Sequence, residues 1–487
     1  MKRLLLCSAL IPLLAACATA SNVSDPKVAP PVAYQAAQPP ADGLAPTALD
    51  HWWSLYADAQ LDDLIARALA NSPDARDAIA KLDQAAAIRA GNRAQILLPS
   101  GDPSGTATHT DTRILSGATI PGFSQEGGSN SLTANFNVSW ELDLFGRRAA
   151  GFRTIDADFY TAAFTYEATR TALAANVAQG LFQARGLALQ LADAREIARI
   201  DRDLLRITQA SVDAGLVATV DLDQAAASAE SAAAQVESLQ AQLTAARRTL
   251  LVLIGSGFDP LESLEAAPLV GNLPPVPASV PGELLRRRPD VRAAEWRIVS
   301  AKGQLRIADL DLLPTINIRP GLSLSKSTGP FATTSAAWSL GANLTAPILD
   351  RPRLLAQIRA QRAVAEQDVI AYEQAVQTAY GDTENAFVYL DSDRRRVDML
   401  KAAEQRAESG YRKSRLGYSR GVSDLQSALQ AETSWRNIRT QRSNAEATLM
   451  QRSVQVFKAL GGGWTPETPA ATTPYAAVAA RAGEGVR

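Results

Sequence analysis

The sequence predicts a mainly α-helical chain that carries part of a membrane β-barrel and is built from two internal repeats, each with two strands and long coiled-coil helices. Three observations predict it. Short strings recur in order at shifts of 206 to 216 positions. One segment in each half alternates apolar and polar residues over a dozen positions. Each half also holds long proline-poor stretches with apolar or small residues in steps of three and four. Period two is the signature of a strand with one greasy face, and the three-four step is that of helices packed along a seam.

The chain starts with an export signal. Lys2 and Arg3 precede a short apolar run from Leu4 to Leu14, followed by Ala15, Ala16 and Cys17. The run is too short for a permanent membrane helix, so residues 1–16 read as a signal peptide. Leu14-Ala15-Ala16-Cys17 resembles a bacterial lipobox, which implies cleavage before Cys17 and a covalent lipid on it. Ala18 occupies the place where an aspartate commonly signals retention in the inner membrane, so the outer membrane is the expected destination. Residues 17–50 form a Pro/Ala-rich tether, and 462–487 are a low-complexity tail.

The body says things twice. "SPDARDA" at 72–78 answers "RPDVRAA" at 288–294, and Leu98-Pro99 answers Leu313-Pro314. Gly215 pairs with Gly421, Gln224-Ala225 with Gln430-Ala431, and Gly255 with Gly461. The first repeat is 51–255 and the second 286–461, with a Pro-rich crossover at 256–285 between them.

Each repeat reads helix, two strands, two helices. In the first, a helix over about 61–97 leads to strands over about 104–114 and 131–144, then helices over about 149–212 and 220–254. The second strand is the clearest: Leu132, Ala134, Phe136, Val138, Trp140, Leu142 and Leu144 fall on one face. In the second repeat the helix spans about 289–313, the strands about 315–325 and 337–348, and the helices about 352–416 and 424–460. Leu173, Val177, Gly180, Ala184, Leu187, Leu191, Ala194 and Ala198 mark one seam. A helix of some 64 residues would extend about 95 Å, so these helices form a rod.

Four amphipathic strands do not close, and an open sheet edge cannot face lipid. Other copies of the chain must complete the wall. Two copies would give a barrel filled by side chains, whereas three leave room for water.

Composition narrows the chemistry. Lys and Arg number 49 against 50 Asp and Glu, so no basic field points to nucleic acid. Two histidines and two cysteines, both cysteines within the first 17 residues, argue against a transition-metal site in the body. No cofactor is expected beyond the lipid on Cys17. His51 and His109 sit in no nucleophile or acid-base constellation, and no phosphate-binding loop motif occurs, so the chain does not read as an enzyme. The arginine triplet Arg286-Arg287-Arg288 before Pro289 reads as the opening of the second repeat, with Arg286 and Arg287 left for solvent or a neighbouring protomer.

The chain resembles TolC-type outer-membrane factors of the NodT and OprM lipoprotein branch. The residues that carry the resemblance are "WWSLYADAQLDDLIARAL" at 52–69, "SWELDLFGRR" at 139–148, "LLRRRPDVRAAE" at 284–295 and "KALGGGW" at 458–464. It implies a homotrimer with a 12-stranded barrel in the outer membrane, continuous with an α-helical tunnel through the periplasm. The expected function is passive efflux of drugs or other small molecules, handed over by an inner-membrane RND transporter and a periplasmic adaptor protein.

The resemblance places the turns at Asp213 to Val220 and Ser419 to Asp424 at the closed periplasmic tip, with Gly215, Leu216, Val217, Gly421, Val422 and Ser423 meeting the adaptor. A gate is expected just inside it. Where the family reads like "LLDAQ", this chain has Ala428-Leu429-Gln430-Ala431-Glu432, so Gln430 replaces the usual aspartate. Asp221, Asp223 and Asp424 lie near enough to supply acidic charge instead, and each is equally well placed to favour a helix N-terminus. "ILDRPRL" at 348–354 also departs from the family, and Pro352 is expected in the first turn of a helix. Two other readings stand beside efflux: the duct of a type I protein secretion system, and a non-conducting coiled-coil lipoprotein that spaces the periplasm.

Overall fold

A computed structural model describes residues 23–36, 49–113, 115–116, 127–269, 271–277, 279–328 and 332–466. The signal segment, Cys17 and the tail beyond residue 466 lie outside the described residues.

A 3-10 turn at Trp52–Tyr56 precedes α1 (Ala59–Asn71) and α2 (Pro73–Leu97). Next come β1 (Ser100–Thr112), β2 (Gly127–Leu142), α3 (Arg147–Asp213) and α4 (Thr219–Leu253). The second half holds α5 (Pro281–Arg287), α6 (Pro289–Leu310), β3 (Thr315–Thr328), β4 (Thr333–Thr345), α7 (Arg351–Ser419) and α8 (Leu425–Ala459).

Several boundaries differ from the sequence reading, each for a local reason. The helix expected over 61–97 is two helices, because Ser72 precedes Pro73 and takes an extended ψ of 139°. β2 ends at Leu142 rather than residue 144: Asp143 turns to accept the N–H groups of Arg147 and Arg148 at 2.7 and 3.1 Å, opening α3. β4 runs 333–345 rather than 337–348, since Pro347 has no N–H to give a ladder. β1, whose alternation is weak, starts at Ser100 because β2 supplies a continuous antiparallel partner from Ser139 to Gly127. The crossover holds the short helix α5, which ends at Arg287.

The strands form one antiparallel sheet in the order β1-β2-β3-β4. The centre of the sheet joins the two repeats, with Phe136 opposite Leu322 and Trp140 opposite Ile318. For that reason the compact units do not follow the repeats. One unit comprises Gln84–Tyr160 and Glu295–Ala371 with the described residues up to Pro26; the other comprises Lys27–Asp83, Thr161–Ala294 and the described residues from Tyr372.

The first unit holds the sheet and the helix segments at its base. Apolar side chains on one face stand exposed: Leu132, Phe136, Trp140, Leu322, Leu324, Trp338, Leu340 and Leu344. Beneath the strands, Asp156 of α3 accepts from Arg89 and Arg93 of α2 at 2.8 and 2.7 Å. Val23 packs on a cluster of Leu305, Ala308 and Ile358.

The second unit holds the main core. Trp52 is fully buried and stacks on Phe457, 5.4 Å between centroids, amid Leu61, Ile65, Leu181, Phe182, Leu250 and Leu251. Burying side chains of this size contributes about 1.5–3 kcal/mol each. The described N-terminal segment is pinned to α7 by carboxylates: Glu373 accepts from Lys27 N at 2.6 Å and Glu384 from Gln35 N and Ala36 N at 2.6 and 2.8 Å. Arg287 is buried and paired with Asp50, and its carbonyl accepts Trp464 Nε1 at 2.8 Å. Arg288 reaches Asp290 at 2.6 Å and Asp382 at 3.1 Å. Arg287 and Arg288 are therefore structural and Arg287 is not left for solvent, whereas Arg286 is exposed.

Candidate functional site

The two helical hairpins, α3 with α4 and α7 with α8, reverse in the same way. Gly215 and Gly421 both take φ 71°, a conformation that costs glycine little and other residues more. Leu216 N donates to Ser211 O at 2.9 Å and Gly215 N to Val212 O at 2.8 Å. In the second turn Val422 N donates to Gly417 O at 2.9 Å and Gly421 N to Tyr418 O at 3.0 Å. This paired pattern satisfies the last carbonyls of each long helix and ends it with a left-handed residue. Leu216 and Val422 are then held outward, 76% and 82% exposed, while Val217 and Ser423 are half-buried.

The four candidate gate residues divide by role. Asp424 is the N-cap of α8 and accepts Ser427 N at 2.7 Å; the Ser427 hydroxyl, and then this N–H, hold its carboxyl below the usual value. Asp221 lies half-buried in the first turn of α4, where the N-cap residue Ala218 offers no side-chain acceptor. Asp223 and Gln430 are exposed. Within one protomer no bond among the described residues brings these four together.

A second group, absent from the sequence reading, does come together a few turns from the reversals. Asp201 of α3 has a fully buried side chain, and Glu432 of α8 is 2% exposed. Arg436 donates to Asp201 Oδ2 at 3.0 Å. Asp201 Oδ1 and Glu432 Oε1 are both buried with no hydrogen-bond donor. Burial, and then the Asp201 carboxyl within hydrogen-bonding reach, push the Glu432 acid well above the usual carboxylate range. From α7, Tyr411 stacks on Trp435 at 5.1 Å, closing the pocket with Ile200. Burial and the neighbouring Glu432 push the Tyr411 hydroxyl up to about 12.

The sequence did carry a signal for both acids. Continuing the seam three residues past Ala198 lands on Asp201. Glu432 shares a helix face with the buried Leu425, Ala428 and Trp435. A carboxylate on an apolar seam is a buried charge in waiting.

Further along the hairpins a layer of ion pairs ties α3 to α8 and α7. Arg439 meets Asp193 at 2.6 Å, Ser443 Oγ donates to the same carboxylate at 2.7 Å, and Arg442 pairs with Glu404 and Glu446. This is a length of hairpin built for registry between helices. No helix among the described residues is long and apolar enough to cross a membrane.

Comparison with known proteins agrees with this architecture. The family described as "Outer membrane efflux protein" matches residues 64–256 and again 280–462, one match in each repeat. The chain is 29% identical over 456 residues to the pyoverdine export outer membrane protein OpmQ of Pseudomonas putida, covering 91% of this chain and 94% of OpmQ. It is 25% identical over 428 residues to the probable outer membrane lipoprotein SilC of Salmonella typhimurium, covering 85% and 88%. Among solved structures, the outer-membrane channel OprN superposes with a TM-score of 0.76 at 26% identity, over 92% of this chain and 98% of OprN. The fold is that of these channels, and two matches spanning well over half its length show that the chain belongs to the outer membrane efflux protein family, an outer-membrane component of an efflux pump.

Proposed function

We propose that three copies of the chain close one 12-stranded barrel in the outer membrane and continue it as a helical duct, through which small molecules leave passively. The observation that carries this reading is the four-stranded sheet with two open edges, β1 and β4, and an exposed apolar face. An edge of unpaired backbone groups in lipid costs several kcal/mol per group, and a third copy gives the barrel a water-filled interior.

In this reading an inner-membrane RND transporter and a periplasmic adaptor deliver the cargo, and the adaptor meets Gly215, Leu216, Val217, Gly421, Val422 and Ser423. Exposed Leu216 and Val422 suit an apolar contact there. At the narrow end of the duct Asp221, Asp223 and Asp424, repeated in each protomer, favour cations over anions, and the uncharged Gln430 offers closure by hydrogen bonds between protomers. Cys17 carries the lipid anchor. Val23, six residues on, packs against Leu305 and Ala308 of α6 and Ile358 of α7. The name of SilC, a probable outer membrane lipoprotein, supports the same assignment.

The test is stoichiometry and conduction together. Native mass spectrometry of the purified full chain is expected to give a trimer, and planar bilayers containing it are expected to show discrete, cation-selective steps. A monomer, or a trimer that conducts nothing under any condition, would overturn the duct and favour a structural spacer.

A further inference from the structure

We propose that Asp201 and Glu432 form a proton-operated latch between the two hairpins of a protomer: one shared proton holds α3 to α8 near the turns, and its loss lets them part. The latch rests on the duct reading only for its consequence, the widening of the narrow end; the two buried acids, and the Arg436 bond one turn beyond Glu432 that joins α8 to Asp201, are in the structure.

Two carboxyl groups from different hairpins are buried beside the cluster of Ile200, Tyr411 and Trp435, and Arg436, one turn beyond Glu432 on α8, reaches Asp201 at 3.0 Å. The groups facing them are few. From α8, Arg436 binds Asp201; from α7, Arg415 and the neutral Tyr411 hydroxyl lie near Glu432. Half-buried Arg436 is committed to Asp201, while Arg415 is exposed and its charge is screened by solvent. Two ionised carboxylates here would leave Asp201 Oδ1 and Glu432 Oε1 facing like charge with no donor. A single proton turns the clash into a carboxyl–carboxylate hydrogen bond, which is the strong, charge-assisted kind.

The position gives the contact leverage. Asp201 lies about 18 Å from the end of α3 and Glu432 about 10 Å from the start of α8. Below them the Arg439–Asp193 layer pairs acid with base and carries no comparable surplus of carboxylates. Gln430, two positions before Glu432, is exposed and carries no titrating group.

The sign follows from proton counting. The latched form binds one proton more than the parted form wherever the pH lies above the ordinary carboxylate value and below that of the buried pair. Parting is therefore favoured as pH rises, by up to about tenfold per pH unit in that window.

The experiment uses the full-length protein in its assembled form, with hydrogen exchange followed by mass spectrometry on peptides covering α3 near Asp201 and α8 near Glu432, and conductance in planar bilayers, at about pH 6 and about pH 9. After correction for the chemistry of exchange, the opening constant of these peptides is expected to rise by tenfold or more across the range, and open probability with it. Glu432→Gln, which keeps a donor for Asp201, is expected to abolish the rise and stay latched at both values. A flat response in the native protein, or a Glu432→Gln protein that still responds as the native one does, overturns the latch. Should Glu432→Gln fail to assemble, Asp201→Asn makes the same test, and an undiminished response at an unchanged pH sinks the idea. pH-dependent exchange without any conductance would support the latch and count against the duct; conductance that ignores pH, with equally flat exchange, removes the latch and leaves the duct standing.

Discussion

The carbonyl oxygen of Arg287 lies 2.5 Å from where a Cβ would stand on Gly461, and Gly461 itself sits at φ 72°. In the first repeat Gly255, at φ 80°, meets the carbonyl of Asn71 at the same 2.5 Å. The two contacts are copies: a helix ends on a left-handed glycine that touches the residue before the break ahead of Pro73 or Pro289. Gly461→Ala combines a disfavoured φ with a backbone clash and is expected to cost about 2–4 kcal/mol. Gly421→Ala has the same φ but open space around it and is expected to cost about 1 kcal/mol. Thermal melting of the two purified variants checks the order; equal losses would show that the contact with Arg287 does not matter.

Removing Arg439 would strand a buried acid. Asp193 is 6% exposed and takes its nearest cation from Arg439 at 2.6 Å. Arg439→Ala is expected to destabilise the hairpin pair by about 3 kcal/mol, and adding Asp193→Asn should recover a good part of that loss. Denaturant titration of the single and double variants measures the coupling.

Acid should loosen the attachment of α1. Burial pushes the Asp58 carboxyl up, but Arg185 and the N–H groups of Leu61 and Gln60 outweigh it and hold the group below its ordinary value. A lowered folded value means that the stabilisation is complete above about pH 4 and disappears as pH falls through the folded value. Asp58→Asn should therefore be less stable than the native chain at neutral pH and approach it on acidification. Melting temperatures over an acid series decide this.

The aspartates near the turns should separate by function. Asp424→Ala removes the cap of α8 and is expected to fray its first turn, seen as faster hydrogen exchange from Leu425 onward. Asp221→Ala and Asp223→Ala remove no capping bond and should change ion selectivity more than helix stability. Conductance and cation preference of the triple Ala variant set the joint contribution of all three; values equal to the native ones would remove them from the gate.

Much of this molecule was legible because its signals repeat. The alternation of Leu132 to Leu142 marked a strand, and the recurrence of Gly215 at Gly421 placed both turns, since glycine is required there by φ rather than by packing. Boundaries set by a single residue's bonding were harder: Asp143 leaves β2 to cap α3, and no pattern of hydrophobicity shows which way a side chain turns. Arg287 misled for a related reason. A triplet of arginines reads as surface charge until the fold brings Asp50 to it from 237 residues away. Asp201 and Glu432 carry a fainter signal because they interrupt an apolar seam instead of flanking a turn, and only the packing of α3 on α8 shows that both are buried.

The open edges of the sheet bear on how the protein is made in the cell. A chain whose strands end on β1 and β4 has no finished state of its own in lipid, so in the proposed assembly membrane folding and assembly are one event, and its rate depends steeply on how many copies arrive together. Halving the supply of the precursor should then lower the number of working ducts by more than half, and a variant with a damaged edge should act on its neighbours as well as on itself.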